Sequence, residues 1–273
     1  KYFNEWALLS QQRQYLFNPK SLFQSVMSSL NSHKSMEHHI PTSISVSIPN
    51  LPPVTVQSFS FLDNVKALCS NAKIMENSVW RYNSESDVYG EINTGSWWLN
   101  AETVLFERLE TYGIHNTSDH FICPVILFID GTFCDRNGRL NAEPVLCSIG
   151  NIAQNNRKQP WSWFFLGLLP MKQMSSAERN SMKHGRGLRA SSLEQYHQCL
   201  LQILEELINL QEEDREGGLG SSVFVHNKGY VNLHFEVCFI IGDTAGHDIL
   251  CCHYMGYSKR VHRPIQTCNC DCD

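Results

Sequence analysis

The chain has 273 residues and a net charge of −5, with 42% hydrophobic and 18% charged residues. That size allows one large domain or two small ones, the apolar content excludes global disorder, and the negative charge excludes a wholly basic nucleic-acid arm. Eleven cysteines fall short of the roughly 8–10% that marks a disulfide scaffold. There is no charged-then-apolar leader and no apolar run near roughly 18 residues, so the expectation is an intracellular protein, neither secreted nor membrane-spanning. Its cysteines are then reduced thiols, with metal binding where they cluster. The chain begins at Lys1 and stops inside a cysteine cluster ending at Asp273, which reads as a fragment of something longer.

Residues 1–60 show weak periodicity, read as short helical pieces followed by a polar Ser-, His- and Pro-rich linker over 28–53. Residues 61–120 form an aromatic-rich region that leads into the core. Within it Ala101–Tyr112 reads as a helix with Val104, Leu105 and Leu109 on one side. The pattern sharpens over 121–273. Pro124–Ile129 is a continuous apolar run, typical of a strand buried on both faces, and it ends at Asp130-Gly131-Thr132. A turn signal at Asp135–Gly138 leads to strands at 144–149 and 161–169. Residues 171–189 read as a loop. A helix follows, with Ser191 and Glu194 as a capping box. Its apolar heptad positions Leu193, Leu200, Leu207 and Tyr196, Ile203, Leu210 suit packing on a sheet, or a short dimerising coiled coil. Val223–Val225 and Tyr230–Ile241 make a hairpin around Asn227-Lys228-Gly229. The second arm ends at Gly242-Asp243, and a short helix with His247, Ile249 and Leu250 is expected next.

Two acids therefore end apolar strands. In a βββαβ order those strands can lie side by side, bringing Asp130 and Asp243 together beyond the carboxyl ends of the sheet. Two close carboxylates repel unless a cation sits between them, and hard Mg²⁺ or Mn²⁺ fits oxygen ligands best. Such ions support phosphodiester cleavage. The plainer alternative is that each Asp opens a turn after a strand. Residues 157–189 carry seven basic residues and one acid, net +6, leaving −11 for the remainder. Arg157, Lys158, Lys183, Arg186 and Arg189 from this segment are candidates for phosphate contacts; a solvated loop is the alternative. At the C-terminus Cys251, His253, Cys268, Cys270 and Cys272 could hold Zn²⁺, although Cys268-x-Cys270-x-Cys272 is tighter than the usual two-residue gap.

Three blocks resemble the Plavaka-type DNA transposases of the Kyakuja-Dileera-Zisupton group. They are Tyr89-Gly-Glu-Ile-Asn-Thr-Gly-Ser-Trp-Trp98; then Pro124–Thr132 with Ile149-Gly-Asn-Ile152, Arg157-Lys158 and Leu166-Gly-Leu-Leu-Pro170; and Ile240-Ile-Gly-Asp243 followed by cysteines. The resemblance covers about residues 88–273. It implies an α/β ribonuclease-H-like mixed sheet that cuts and rejoins DNA with Mg²⁺, with Asp130 and Asp243 as the first two catalytic acids. The third acid would lie beyond this chain, so the catalytic core is incomplete. The implied partners are transposon ends and target DNA, with self-association, and the implied location is nuclear. Gly131, where the family often has a basic residue, and Thr244-Ala-Gly-His247 depart from the family pattern. A catalytically inactive or domesticated DNA- or protein-binding module with a structural zinc site is the alternative.

Overall fold

In a computed structural model of the chain, the described residues are 41–49, 51–84, 90–133, 141–169, 186–242 and 250; side chains are described for these except 132, 133, 141, 142 and 186–192. Among the described residues there are eight strands: β1 (Thr42–Val46), β2 (Val54–Ser58), β3 (His120–Ile129), β4 (Thr132–Phe133), β5 (Asn141–Ile149), β6 (Phe164–Leu169), β7 (Ser221–Val225) and β8 (Gly229–Ile241). Helices are α1 (Phe61–Ser70), α2 (Ser96–Thr111), the single turn α3 (Gln154–Arg157) and the long α4 (Arg186–Gly217). The fold is mixed α/β. Seven strands form one mixed sheet in the order β1-β2-β6-β5-β3-β8-β7, and β4 lies off this path against β5.

The centre of the sheet is a meander with one parallel addition. β5 pairs antiparallel with both β3 and β6. β8 pairs parallel with β3, from His120↔Asn232 to Phe128↔Ile241, with an irregularity after Val125. α4 thus leads into a hairpin whose second arm, not its first, joins β3. The hairpin turn is as its sequence predicts: Asn227 and Gly229 both adopt positive φ, the geometry such tight turns demand.

β3 is buried on both faces, as its unbroken apolar run predicts. Its odd positions Phe121, Cys123, Val125, Leu127 and Ile129 enter the main core. That core is closed by Phe61, Val65 and Leu68 of α1 and by Cys199, Ile203 and Leu207 of α4. On the other face Ile122 meets Leu105 and Leu109 of α2. α4 therefore spends its apolar stripe on the sheet. The N-terminus of α1 is fastened to it: Glu206 accepts from the Phe61 amide and from Ser60 Oγ, while Ser60 caps Asp63, and a carboxylate suits that end of the helix dipole.

Several boundaries differ from the sequence reading. Residues 42–46, expected in a linker, form β1, because Ile44 and Val46 alternate with small polar residues and Val46 is buried against the core. The third strand begins at Phe164, since Pro160–Ser162 is a turn of 3₁₀ helix. α2 starts at Ser96 and buries Trp98, Leu105 and Leu109, leaving Val104 exposed. α4 starts at Arg186, five residues before the expected cap at Ser191. Leu250 is helical, as expected for the stretch after β8.

Candidate active site

The parallel register sets where the strand-end acids stand. Phe128 faces Ile241 across β3 and β8. Asp130 is two residues beyond the first of this pair and half-buried. Asp243 is two residues beyond the second by sequence, but lies outside the described residues. Neighbouring strands are about 4.8 Å apart, so two acids at matched positions on adjacent parallel strands would be close enough to share cations.

A further carboxylate lies at the same end. Glu143 pairs in register with Leu169 of β6, two residues before Val145, the partner of Ile129. It shares the core-facing parity of Val145 and is buried, accepting a 2.5 Å hydrogen bond from Tyr196 Oη of α4. Burial, and then this bond, push the Tyr196 phenol above its ordinary range. Asp130, one residue beyond β3, continues the opposite, even-numbered parity of Phe128. Glu143 and Asp130 therefore belong to two faces of one sheet end. A carboxylate inside an apolar strand always asks for a partner, and that was the signal available in Ala142-Glu143-Pro144-Val145.

The basic candidates separate. β5 runs against β3, and its last residue Ile149 faces Val125, five residues and roughly 17 Å of strand before Asp130. Arg157 and Lys158 follow β5 and so lie away from the acid edge. Arg157 is moreover turned inward. It donates to the carbonyls of Gly150 and Ile152, each at 2.9 Å, and faces Glu91 at 3.8 Å. Burial lowers its proton affinity, and Glu91 partly restores it. Lys158 is exposed. Residues 170–185 and the side chains of Arg186 and Arg189 lie outside the description, Lys183 among them. The backbone does fix their tether: β6 ends at Leu169, opposite Glu143, and α4 passes Glu143 at Tyr196. That half of the basic segment leaves from the acid edge. Cys251, His253, Cys268, Cys270 and Cys272 lie outside the described residues. Among the described residues no group of three or more His, Cys, Asp or Glu could hold a metal ion.

The motif blocks distant in sequence meet on the α2 face of β3. Gly150 donates to Pro124 O at 2.7 Å. A Cβ on it would lie 2.8 Å from Pro124 Cβ and 3.2 Å from Ile92 Cδ1, so only glycine fits. The Asn151 amide bridges Val79 O and Ile122 O at 3.1 and 3.0 Å. Glu91 accepts from the Gln154 amide at 2.7 Å, and Asn93 donates to Arg81 O at 2.8 Å. Glu102 of α2 binds Arg81 and the Tyr82 amide. These polar residues brace the upstream block against the meander.

The described residues define a mixed α/β protein built on one seven-strand mixed sheet. The chain matches the Plavaka transposase family over residues 61–268, most of its length, and it belongs to that family. No curated protein and no solved structure matches it.

Proposed function

We propose that the chain carries part of the catalytic core of a DNA transposase of ribonuclease-H-like type, acting by metal-dependent phosphodiester cleavage and strand transfer. The observation that carries this reading is the parallel β3–β8 register, which sets Phe128 opposite Ile241 at one edge; in the sequence an acid follows each of them two residues on. The strand succession supports it: three antiparallel strands, a long helix, then a strand parallel to the first. Extra strands β1, β2 and β7 flank that unit.

In this reading Asp130 and Asp243 hold Mg²⁺ or Mn²⁺, whose chemistry is activation of the attacking oxygen and stabilisation of charge on phosphorus. Hard carboxylate oxygens at a strand end suit such an ion. Of the two, Asp130 is among the described residues and would supply one such ligand. The basic segment between β6 and α4 contacts the DNA backbone beside them, the electrostatic work such a reaction requires. Arg157 does not join it, because its guanidinium is committed to Gly150, Ile152 and Glu91.

The test is Asp130→Asn and Asp243→Asn in full-length protein. Each should abolish Mg²⁺-dependent cleavage of transposon-end DNA, with circular dichroism and urea midpoint unchanged. Cleavage at the parental rate in either variant would sink the assignment. So would a carboxylate separation above about 12 Å in an experimental structure, beyond the reach of shared ions.

A further inference from the structure

At the opposite end of the β3–β8 pair two buried histidines touch. His120 begins β3, and His234 lies in β8 opposite Ile122. His120 Nδ1 is 2.8 Å from His234 Nε2. His234 Nδ1 is 2.8 and 3.0 Å from the two oxygens of Asp214, near the end of α4. Asp214 also accepts from Arg108 of α2 at 2.6 Å and from the Gly220 amide at 2.9 Å. The Asn232 side chain approaches His120 Nε2 at 3.4 Å.

The carboxylate fixes one bond, and with both rings neutral the others follow from it. A carboxylate only accepts, so His234 carries its proton on Nδ1. Neutral His234 then accepts at Nε2, so His120 also carries its proton on Nδ1 and turns an acceptor toward the Asn232 amide. The chain runs one way from Asn232 to Asp214. With both rings neutral its formal charge is zero, Arg108 cancelling Asp214.

We propose that the His120–His234 pair is an acid-sensitive latch, closed while both rings are neutral, that fastens the C-terminal end of α4 to β3 and β8. One added proton gives this buried cluster a net positive charge. The neighbouring elements do not offset it. α2 presents the cation Arg108, and the loop before it presents the cation Arg81. On β8, Glu236 already faces Arg108 at 4.0 Å and Arg215 at 3.9 Å. Asp119, beside His120, is the remaining acid. Burial first, and then His234 and Arg81, outweigh Asp119 and Asp214 and hold His120 below its ordinary range. The folded imidazole therefore takes up a proton less readily than the unfolded one, so its contribution is full above about pH 6.5 and falls away as the pH drops below.

The element that would move is the glycine turn after α4. Gly218 and Gly220 have φ of +69° and +64°. A Cβ on Gly220 would lie 2.9 Å from the His234 ring. The ring, the carboxylate and the turn thus hold one another.

Hydrogen exchange on the 273-residue chain tests this, with rates corrected for the intrinsic pH dependence. Protection over residues 214–220 and 231–236 should fall at least tenfold between pH 7.5 and 5.5, while protection over 141–149 changes less than twofold. His120→Gln can donate to His234 without taking up a proton, so it should keep its protection at pH 5.5. Constant protection in the parent, equal loss in 141–149, or the same loss in His120→Gln each overturns the latch. Should that variant not fold, nitrogen-15 spectra of the parent decide. At pH 7.5 each ring should carry one proton, on Nδ1, and His120 should titrate below pH 6.5. A proton on Nε2 of His234 at pH 7.5, or titration of His120 at or above pH 6.5, refutes the proposal.

Discussion

Replacing Gly167 by alanine should destabilise the fold by about 2–3 kcal/mol, the upper part of the range for overpacking a close-fitted site. Gly167 sits in β6 where β2 and α4 both press on it, and it pairs with Ser58. A Cβ there would lie 2.7 Å from Ile203 Cγ1, 2.9 Å from Ile203 Cδ1 and 2.8 Å from the Gln57 carbonyl oxygen. The Ile203 side chain can partly rotate away, but the carbonyl belongs to the backbone of β2 and cannot yield without moving the strand. The cost therefore has two parts, and mutation can separate them. Truncating Ile203 to alanine costs about 2–5 kcal/mol alone, as a buried large-to-small change. In the double variant the two costs should fall short of additivity by about 1 kcal/mol, because the new methyl occupies part of the space Ile203 leaves. Urea unfolding at pH 7.5, followed by fluorescence, measures all three variants. A loss below about 0.5 kcal/mol for Gly167→Ala, or strict additivity with Ile203→Ala, refutes the close-approach account of this glycine.

Two further outcomes follow from side chains already placed. Arg157→Met should cost about 2–3 kcal/mol, because the Gly150 and Ile152 carbonyls lose their donor and Glu91 loses its cation. Yet once folded it should bind DNA within twofold of the parent, whereas a phosphate contact would lower both the affinity and the salt slope. Cys69, Cys123 and Cys147 are buried free thiols, and burial pushes Cys69 up to about 12 and the other two well above the ordinary thiol range. Iodoacetamide at pH 8 should leave all three unmodified in the native protein and alkylate them in urea, read by peptide mass spectrometry.

The central fold was legible because its signals are local and strong. The run Pro124–Ile129, the hairpin signal at Asn227–Gly229 and the heptad stripe of α4 each state their environment in a few residues. β1 was not legible, since Thr42–Val46 has only two apolar positions among polar neighbours. The N-terminus of α4 was misplaced because a capping-box pattern can occur inside a helix, where Ser191 and Glu194 are simply two helical residues. At the candidate site the strand ends were readable, because apolar runs stop there. What sequence order concealed was direction. Arg157 and Lys158 were grouped with the other basic residues of 157–189, but β5 runs antiparallel to β3 and carries them away from Asp130. The Asp214–His234–His120 chain was concealed for a related reason: its members come from α4, β8 and β3, and no spacing rule joins them.

The β3–β8 pairing has a consequence for the order in which the molecule assembles. β3 meets β5 after a short excursion, with partners such as Ile129 and Val145, but it meets β8 only across roughly 110 residues of chain. Loop-closure entropy places that contact among the costliest to form. The meander β3-β5-β6 can therefore condense early, carrying Asp130 with it. The strand leading to Asp243 arrives only after α4 has docked and the hairpin has closed. The β3–β8 seam is in this sense the last part of the sheet to exist, and a partly folded chain presents Asp130 before β8 has joined its strand.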